Sequence, residues 1–333
     1  MANAKVLNGA DPDSIAEAAA VIRRGGLVAF PTETVYGLGA EACNPLAVAR
    51  VFEVKQRPRM DPIIVHVADP ESAHRYGQFP ATIAQTLMER FWPGPLTLVV
   101  PRTDLVPPIV TAGLDSVAIR MPAHPIALDL IRAAGCALAA PSANLFGSVS
   151  PTEAAHVASQ LSDRIDLILD GGRCPVGVES TVLSLIDDPP RILRAGGVTQ
   201  EALSSVLGRI EWLTEDQGRP QAPGQLSRHY ATRTPLEIMH EGDPKSAAGP
   251  GERVGLLTFA APQLTAGYEV VEVLSPKGDL REAAANLFAA LHRLDAMGLD
   301  RVVAYGVPEH GLGVAIMDRL RRCSTRTDPA AFE

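Results

Sequence analysis

Leu27-Val28-Ala29-Phe30-Pro31-Thr32-Glu33-Thr34-Val35-Tyr36-Gly37-Leu38-Gly39 joins a short apolar run to a dense polar turn. The apolar run reads as a buried strand that ends at the proline, where the backbone donor is lost. Upstream, Asp11-Pro12 reads as an N-cap with a first-turn proline. Ile15, Ala18, Ala19 and Ile22 then recur at helical spacing, and Gly25-Gly26 closes the helix. Downstream, Asn44-Pro45 repeats the cap before Val48, Val51 and Phe52. Further strands are expected at 63–67, 96–100, 117–120, 137–140, 165–169 and 181–186, and helices at 81–91, 125–134, 153–161 and 199–207. Such alternation gives an α/β domain with helices over a mixed sheet.

Around 214–235 the composition shifts to Gln, Gly, Pro, Arg and Ser without periodicity, which marks a linker. Strands at 236–239, 254–258 and 270–273, a helix at 280–297, a strand at 301–305 and a helix at 313–322 then outline a small Rossmann-like α/β domain. No GxGxxG follows its first strand, so it is not read as a dinucleotide site. A chain of 333 residues exceeds one comfortable core, and two domains are expected. Hydrophobic residues at 46% and charged residues at 20% place it among globular proteins. Neither a membrane-length apolar run nor a leader pattern is visible, so a cytoplasmic protein is expected. Cys43, Cys136, Cys174 and Cys323 lie far apart and form no CxxC pair, which favours reduced thiols over disulfides or zinc. A net charge of −8 argues against a surface that grips nucleic acid through its phosphates. It leaves room for a small anion held by a few inward arginines.

Polar side chains gather where strands are expected to end, the usual place for ligands in an α/β sheet. Thr32, Glu33 and Thr34 would suit a small polar ligand, or equally a turn whose hydroxyls satisfy local backbone. Lys55-Gln56-Arg57-Pro58-Arg59 closes a helix, and its cations either complement the helix pole or clamp phosphate. His66 lies within an apolar strand, where a satisfied core histidine is the commoner outcome. Ser116, Ala118 and Arg120 share one strand face, and a buried arginine is costly unless it meets an anion. Pro141-Ser142-Ala143-Asn144, Ser148, Ser150, Thr152, Glu179-Ser180-Thr181 and Arg194-Ala195-Gly196-Gly197 complete the set. No metal-ligand constellation is visible in it.

In order and spacing these segments resemble the YrdC-like threonylcarbamoyl-AMP synthases. The resemblance covers roughly residues 10–208, followed by a linker or lid at 209–235 and a C-terminal domain at 236–325. Ala222-Pro223-Gly224-Gln225-Leu226-Ser227-Arg228-His229-Tyr230-Ala231 looks like the linker motif of the long form of that family. The resemblance implies a twisted mixed sheet with a concave active-site cavity. It further implies that Thr34, His66, Arg120, the backbone at Ala140 and Ser180 hold L-threonine. Arg57, Asp61, Ser116, Ser142, Ser150, Arg194 and Tyr230 would hold ATP, with Lys55 a further phosphate contact beside Arg57. Asp61 stands where many relatives carry an amide, so it is expected either to attract Mg²⁺ or to pair with Arg59.

The implied reaction takes L-threonine, bicarbonate or CO₂, and ATP. It hands its product to a tRNA threonylcarbamoyl transferase, with Mg²⁺ expected but without a dedicated protein ligand set. The alternatives are a related carbamoyl-transfer enzyme, whose usual zinc-finger or acylphosphatase-like modules are missing here, and a double-stranded RNA or ribosome-associated module, which the acidic pI disfavours. A docking role for the C-terminal domain is compatible with catalysis.

Overall fold

The computed structural model describes residues 3–213, 220–222, 230–239, 248–249, 251–262 and 265–324. Packing divides the chain into two units, Met1–Phe146 with Ser150–Leu226 and Gly147–Val149 with Ser227–Glu333. The larger unit carries strands β1 (Lys5–Asn8), β2 (Val28–Phe30), β3 (Gly37–Glu41), β4 (Val65–His66), β5 (Leu96–Pro101) and β6 (Ser116–Arg120). They continue as β7 (Leu138–Ala139), β8 (Leu167–Asp170), β9 (Thr181–Ser184), β10 (Arg191–Arg194) and β11 (Glu211–Trp212). Its helices are α1 (Pro12–Arg23), α2 (Pro45–Lys55), α3 (Pro70–Ala73), α4 (Ala81–Phe91), α5 (Pro125–Ala134), α6 (Ala154–Leu161) and α7 (Gln200–Leu207).

The strands form one mixed sheet in the order β1-β8-β2-β3-β7-β4-β6-β5-β9-β10-β11. Parallel pairs such as β4 with β6 and β5 with β9 alternate with antiparallel ones such as β2 with β3 and β5 with β6. Helix starts follow the sequence signals: Asp11 accepts from the Asp13 amide, and Asn44 from the amides of Leu46 and Ala47, each ahead of a proline. One apolar layer joins Val28, Phe30, Leu138, Ala140, Leu167 and Leu169 to α1 and α5. The largest cluster gathers Leu38, Val65, Leu98, Ile119 and Leu183 with Val48, Val51 and Phe52 of α2 and Leu87 of α4. A third, smaller cluster joins Ile64, Val99, Ala118, Val182 and Leu193 to Ala222.

Several elements differ from the sequence reading. Strand β3 falls inside the segment expected to be a polar loop, because Gly37 and Gly39 pair with Phe30 and Val28. A Cβ at Gly39 would stand 2.8 Å from the Phe30 ring, so glycine makes that pairing possible despite its low strand preference. Strand β4 is two residues long rather than five, since Ile63 and Ile64 bond to Val110 and Ala140 outside any named strand.

The smaller unit holds β12 (Leu236–Met239), β13 (Val254–Thr258), β14 (Val270–Val273), α8 (Leu280–Ala296), β15 (Arg301–Tyr305) and α9 (Gly313–Ser324). Its strands are all parallel in the order β12-β15-β13-β14, the arrangement of a small Rossmann-like sheet. Asp279 caps α8 by accepting from the Arg281 and Glu282 amides. Ala283, Leu287, Phe288, Leu291 and Leu294 form that helix's buried stripe. Among the described residues no helix is long and apolar enough to cross a membrane.

Candidate active site

Four loops of the larger unit interlock through their backbones. Tyr36 and Leu38 donate to Pro151 and Pro141, while Ala143 donates back to Tyr36. Val176 donates to Glu33, Ala140 to Ile64, and Thr181 to Pro95. The 31–39 segment is thereby tied to 140–143, to 151 and to 176. Gly196 approaches even closer: a Cβ there would lie 2.3 Å from the Glu179 oxygen and 2.4 Å from the Thr181 nitrogen. Only glycine lets the Arg194-Ala195-Gly196-Gly197 turn lie against Glu179-Ser180-Thr181.

Arg120 ends β6 beside His66 of β4, with which it is in register. Register partners on adjacent strands point to the same face, so both side chains share it. The Arg120 guanidinium donates to Glu33 Oε1 at 2.6 Å, to Thr34 Oγ1 at 3.0 Å and to the Gly94 carbonyl at 3.2 Å. The other Glu33 oxygen accepts from the Ala123 amide at 3.0 Å. Sequence reasoning read Glu33 only as part of a turn suited to a small polar ligand. It is the anion that makes a buried Arg120 tolerable, and the cost of an unpaired buried arginine was the signal that could have found it. Burial, and then the Arg120 charge, push the His66 imidazole down to about 3, so it is neutral at physiological pH.

Helix α2 ends with Gln56 in the left-handed region at φ 53°, so Gln56 faces solvent while Lys55 and Arg57 on either side turn inward. Arg57 Nη2 lies 2.9 Å from Asp61 Oδ2 with both side chains buried, and its other donors reach the carbonyls of Asp61 and Pro62. Arg59, the expected partner, is exposed although it stands nearer in sequence; Arg57, whose side chain turns inward, takes that place. Lys55 also departs from expectation. Its buried ammonium donates to the Ser142 carbonyl at 2.6 Å and to that of Asn144, so two of its three donors hold this loop. Burial, with Arg57 as the second cause, holds this amine well below its ordinary value, and Asp61 opposes the shift.

Arg194 donates to the Ser180 carbonyl at 2.9 Å and to Ser180 Oγ at 3.2 Å, and Ser180 Oγ also meets Thr97 Oγ1 at 2.7 Å. Ser150 donates to Glu179 Oε1 at 2.6 Å. Ser142 lies beside Gly37 in an isolated bridge, and the Ala140 backbone is held by Ile64. Ser116 begins β6, about 13 Å along the strand from Arg120 at the usual rise per residue. Tyr230 packs inside the smaller unit, its ring buried against Phe288 and Arg319. Positions 223–229 of the expected lid lie outside the described residues. Ala222, just before them, is buried against Ile64 and Ala118 on the face that carries Arg120.

A family model described as telomere recombination, covering Sua5, YciO and YrdC proteins, matches residues 20–196. The chain belongs to the Sua5/YciO/YrdC family. A second model, described as the C-terminal domain of threonylcarbamoyl-AMP synthase, matches 198–325. Threonylcarbamoyl-AMP synthase of Bacillus subtilis is 46% identical, over 94% of this chain and 93% of that protein. The Pyrococcus abyssi synthase is 43% identical, over 92% and 93%. The crystal structure of P. abyssi Sua5 complexed with L-threonine superposes with a TM-score of 0.87 at 40% identity, covering 97% of each chain. This Sua5-type chain thus shares the two-domain architecture of those relatives and not only their catalytic half.

Proposed function

We infer that this chain is an L-threonylcarbamoyladenylate synthase, a nucleotidyltransferase that supplies the adenylate used to modify an adenosine in tRNA. The observation that carries the reading is a set of three buried guanidiniums: Arg57 just past α2, Arg120 at the end of β6 and Arg194 at the end of β10. Asp61 and Glu33 balance two of them, and an anionic substrate could take over those donors; the relatives are named for making threonylcarbamoyl-AMP, which carries such a phosphate.

In the first stage the threonine amine and bicarbonate form a carbamate with loss of water: the N–C bond forms, and the amine proton leaves with the hydroxide that bicarbonate gives up. Arg120 is placed for the threonine carboxylate, with Thr34, neutral His66, the Ala140 backbone and Ser180 completing the pocket. In the second stage a carbamate oxygen attacks the α-phosphorus of ATP. The new P–O bond forms as the bond to pyrophosphate breaks, giving threonylcarbamoyl-AMP and free pyrophosphate. An anionic oxygen needs no base; it needs alignment and neutralisation of charge. Arg57 and Arg194 are assigned to the nucleotide, with Ser116, Ser142, Ser150 and Tyr230 as further contacts. Lys55 acts through the 142–144 loop it holds. Asp61 serves as the counter-ion that keeps Arg57 in place until phosphate arrives.

Among the described residues no three His, Cys, Asp or Glu side chains gather as a metal site. The nearby carboxylates are engaged: Glu33 by Arg120, Asp61 by Arg57 and Glu179 by Ser150. Mg²⁺ therefore fits as a companion of the triphosphate, where it would neutralise the leaving pyrophosphate. The product is an anhydride that water destroys, so a covering segment is useful, and the linker motif that ends at Tyr230 is assigned that role on its resemblance to the long form of the family.

Substrate choice tests the reading. A site that hydrogen-bonds the threonine hydroxyl should reject valine strongly, while serine, lacking one methyl, should lose only ~1–3 kcal/mol. Competition between the three amino acids for adenylate formation measures this. Equal turnover of valine would mean that the hydroxyl is not read.

A further inference from the structure

Thr32 and Thr34 stand in the turn that leaves β2, and both side chains are buried. Their hydroxyls meet at 2.9 Å, a bond that either could donate. The neighbouring bonds fix which one does. Thr32 Oγ1 lies 2.6 Å from the Val35 carbonyl oxygen, and two oxygens that close need a proton between them. A carbonyl has none to give, so Thr32 spends its single proton there. The proton between the two hydroxyls therefore belongs to Thr34. The Thr34 and Val35 amides also aim at Thr32 Oγ1, each from 3.2 Å, which agrees with that oxygen acting as an acceptor on this side.

Thr34 is then almost fully committed. Arg120 Nη1 donates to Thr34 Oγ1 at 3.0 Å, and a guanidinium carries donors only. Glu33 and the Gly94 carbonyl hold the other two nitrogens of that guanidinium, which keeps it in place. With its proton given to Thr32 and one lone pair taken by Arg120, Thr34 retains a single lone pair. It can accept one further hydrogen bond and can donate none. The two readings of this turn thus fall to different residues: Thr32 satisfies local backbone, and Thr34 keeps capacity for a ligand.

We propose that Thr32 is a positioning residue that makes Thr34 an obligate acceptor, so that the site reads the substrate's β-hydroxyl by the proton it donates. This rests on the reading above that Thr34 belongs to the threonine pocket. The hydroxyl suits the remaining lone pair better than the α-ammonium does, because an ammonium would bring a second cation against Arg120. A β-substituent that only accepts would set two electronegative atoms against each other with no proton between them. Specificity then depends on the donor half of the hydroxyl, a distinction that valine, which lacks both halves, does not draw.

The test measures kcat/KM for adenylate formation at saturating ATP with L-threonine, with valine, and with the analogue in which fluorine replaces the β-hydroxyl. Fluorine is close to a hydroxyl in size, accepts weakly and donates nothing. Wild-type protein should use the fluoro analogue about 10- to 100-fold less well than threonine, and no better than valine, because a buried acceptor is left unpaired. In folded Thr32→Val that gap should narrow about tenfold, since Thr34 regains a proton that it can turn to the substrate. Thr32→Ser keeps the hydroxyl and should keep the gap. Wild-type use of the fluoro analogue within about threefold of threonine, or clearly above valine, overturns the proposal. So does an unchanged gap in folded Thr32→Val, or a narrowed one in Thr32→Ser. If Thr32→Val does not fold, the wild-type comparison decides. No adenylate from wild type and threonine removes the underlying function, whereas ready use of the fluoro analogue removes only the roles given to Thr32 and Thr34.

Discussion

Asp61 lies 2.9 Å from Arg57 in a place where neither side chain reaches solvent. Replacing Asp61 with Asn removes the countercharge but keeps an acceptor, so the ligand-free protein should lose stability while Arg57 becomes freer to meet phosphate. Thermal melting should show a lower midpoint without ATP, a larger rise on adding ATP, and retained adenylate synthesis. Loss of all activity in the folded variant would make the carboxylate itself a requirement. His66 supplies a pH prediction. An unfolded histidine takes up its proton near 6.5, whereas this one waits until about 3. Between those values the unfolded chain binds more protons, so stability falls as pH falls through that window. His66→Asn should flatten the acid limb of a denaturation series between about pH 6 and 4. An unchanged acid limb would show that burial does not hold the ring neutral. The arginines were legible from sequence because burying a guanidinium demands a partner, yet the identity of the partner was not. Glu33 is 87 residues from Arg120, and no local pattern links them.

Elements with long periodicity or a cap were readable: α1, α2, α5, α8 and the parallel strands of the smaller unit appear where the spacing placed them. What escaped were elements defined by contacts rather than by their own residues. Strand β3 is rich in glycine because Phe30 needs the space, and β10 and β11 are short strands at the sheet edge. The same logic hid the meaning of Gly196, which is a close approach of two backbones. Gly196→Ala should be one of the more disruptive single-methyl changes in the larger unit, costing on the order of 1–3 kcal/mol from overpacking. It should also disturb Arg194 and Ser180, so ATP binding ought to fall with stability. Urea denaturation and nucleotide titration would show both; wild-type behaviour in both would mean that the turn can slide aside. Lys55 teaches a related lesson, for its sequence neighbours advertise a phosphate clamp while its ammonium is spent on the Ser142 and Asn144 carbonyls.

At the scale of the molecule, a linker was visible from composition, but its points of attachment were not. Ala222 belongs to an apolar cluster of the larger unit, and Tyr230 to the core of the smaller one. The larger packing unit runs past β11 and includes Ala222, which the sequence reading gave to the linker. A chain ended after Leu226 should keep that cluster and fold alone, but lose most adenylate synthesis because it lacks Tyr230 and the rest of the linker motif. Circular dichroism with product yield against the full chain checks this; equal yields would leave the C-terminal unit a docking or regulatory role. The central claim is that carbamate oxygen attacks the α-phosphorus of ATP. The direct measurement supplies L-threonine, ¹³C-bicarbonate and ATP labelled separately at the α- and γ-phosphorus, and resolves the products by mass and radiolabel. The account predicts a threonine-containing adenylate that carries both the heavy carbon and the α-label, with the γ-label released as pyrophosphate. Release of the γ-label as orthophosphate alongside ADP, with no labelled adenylate, would contradict it.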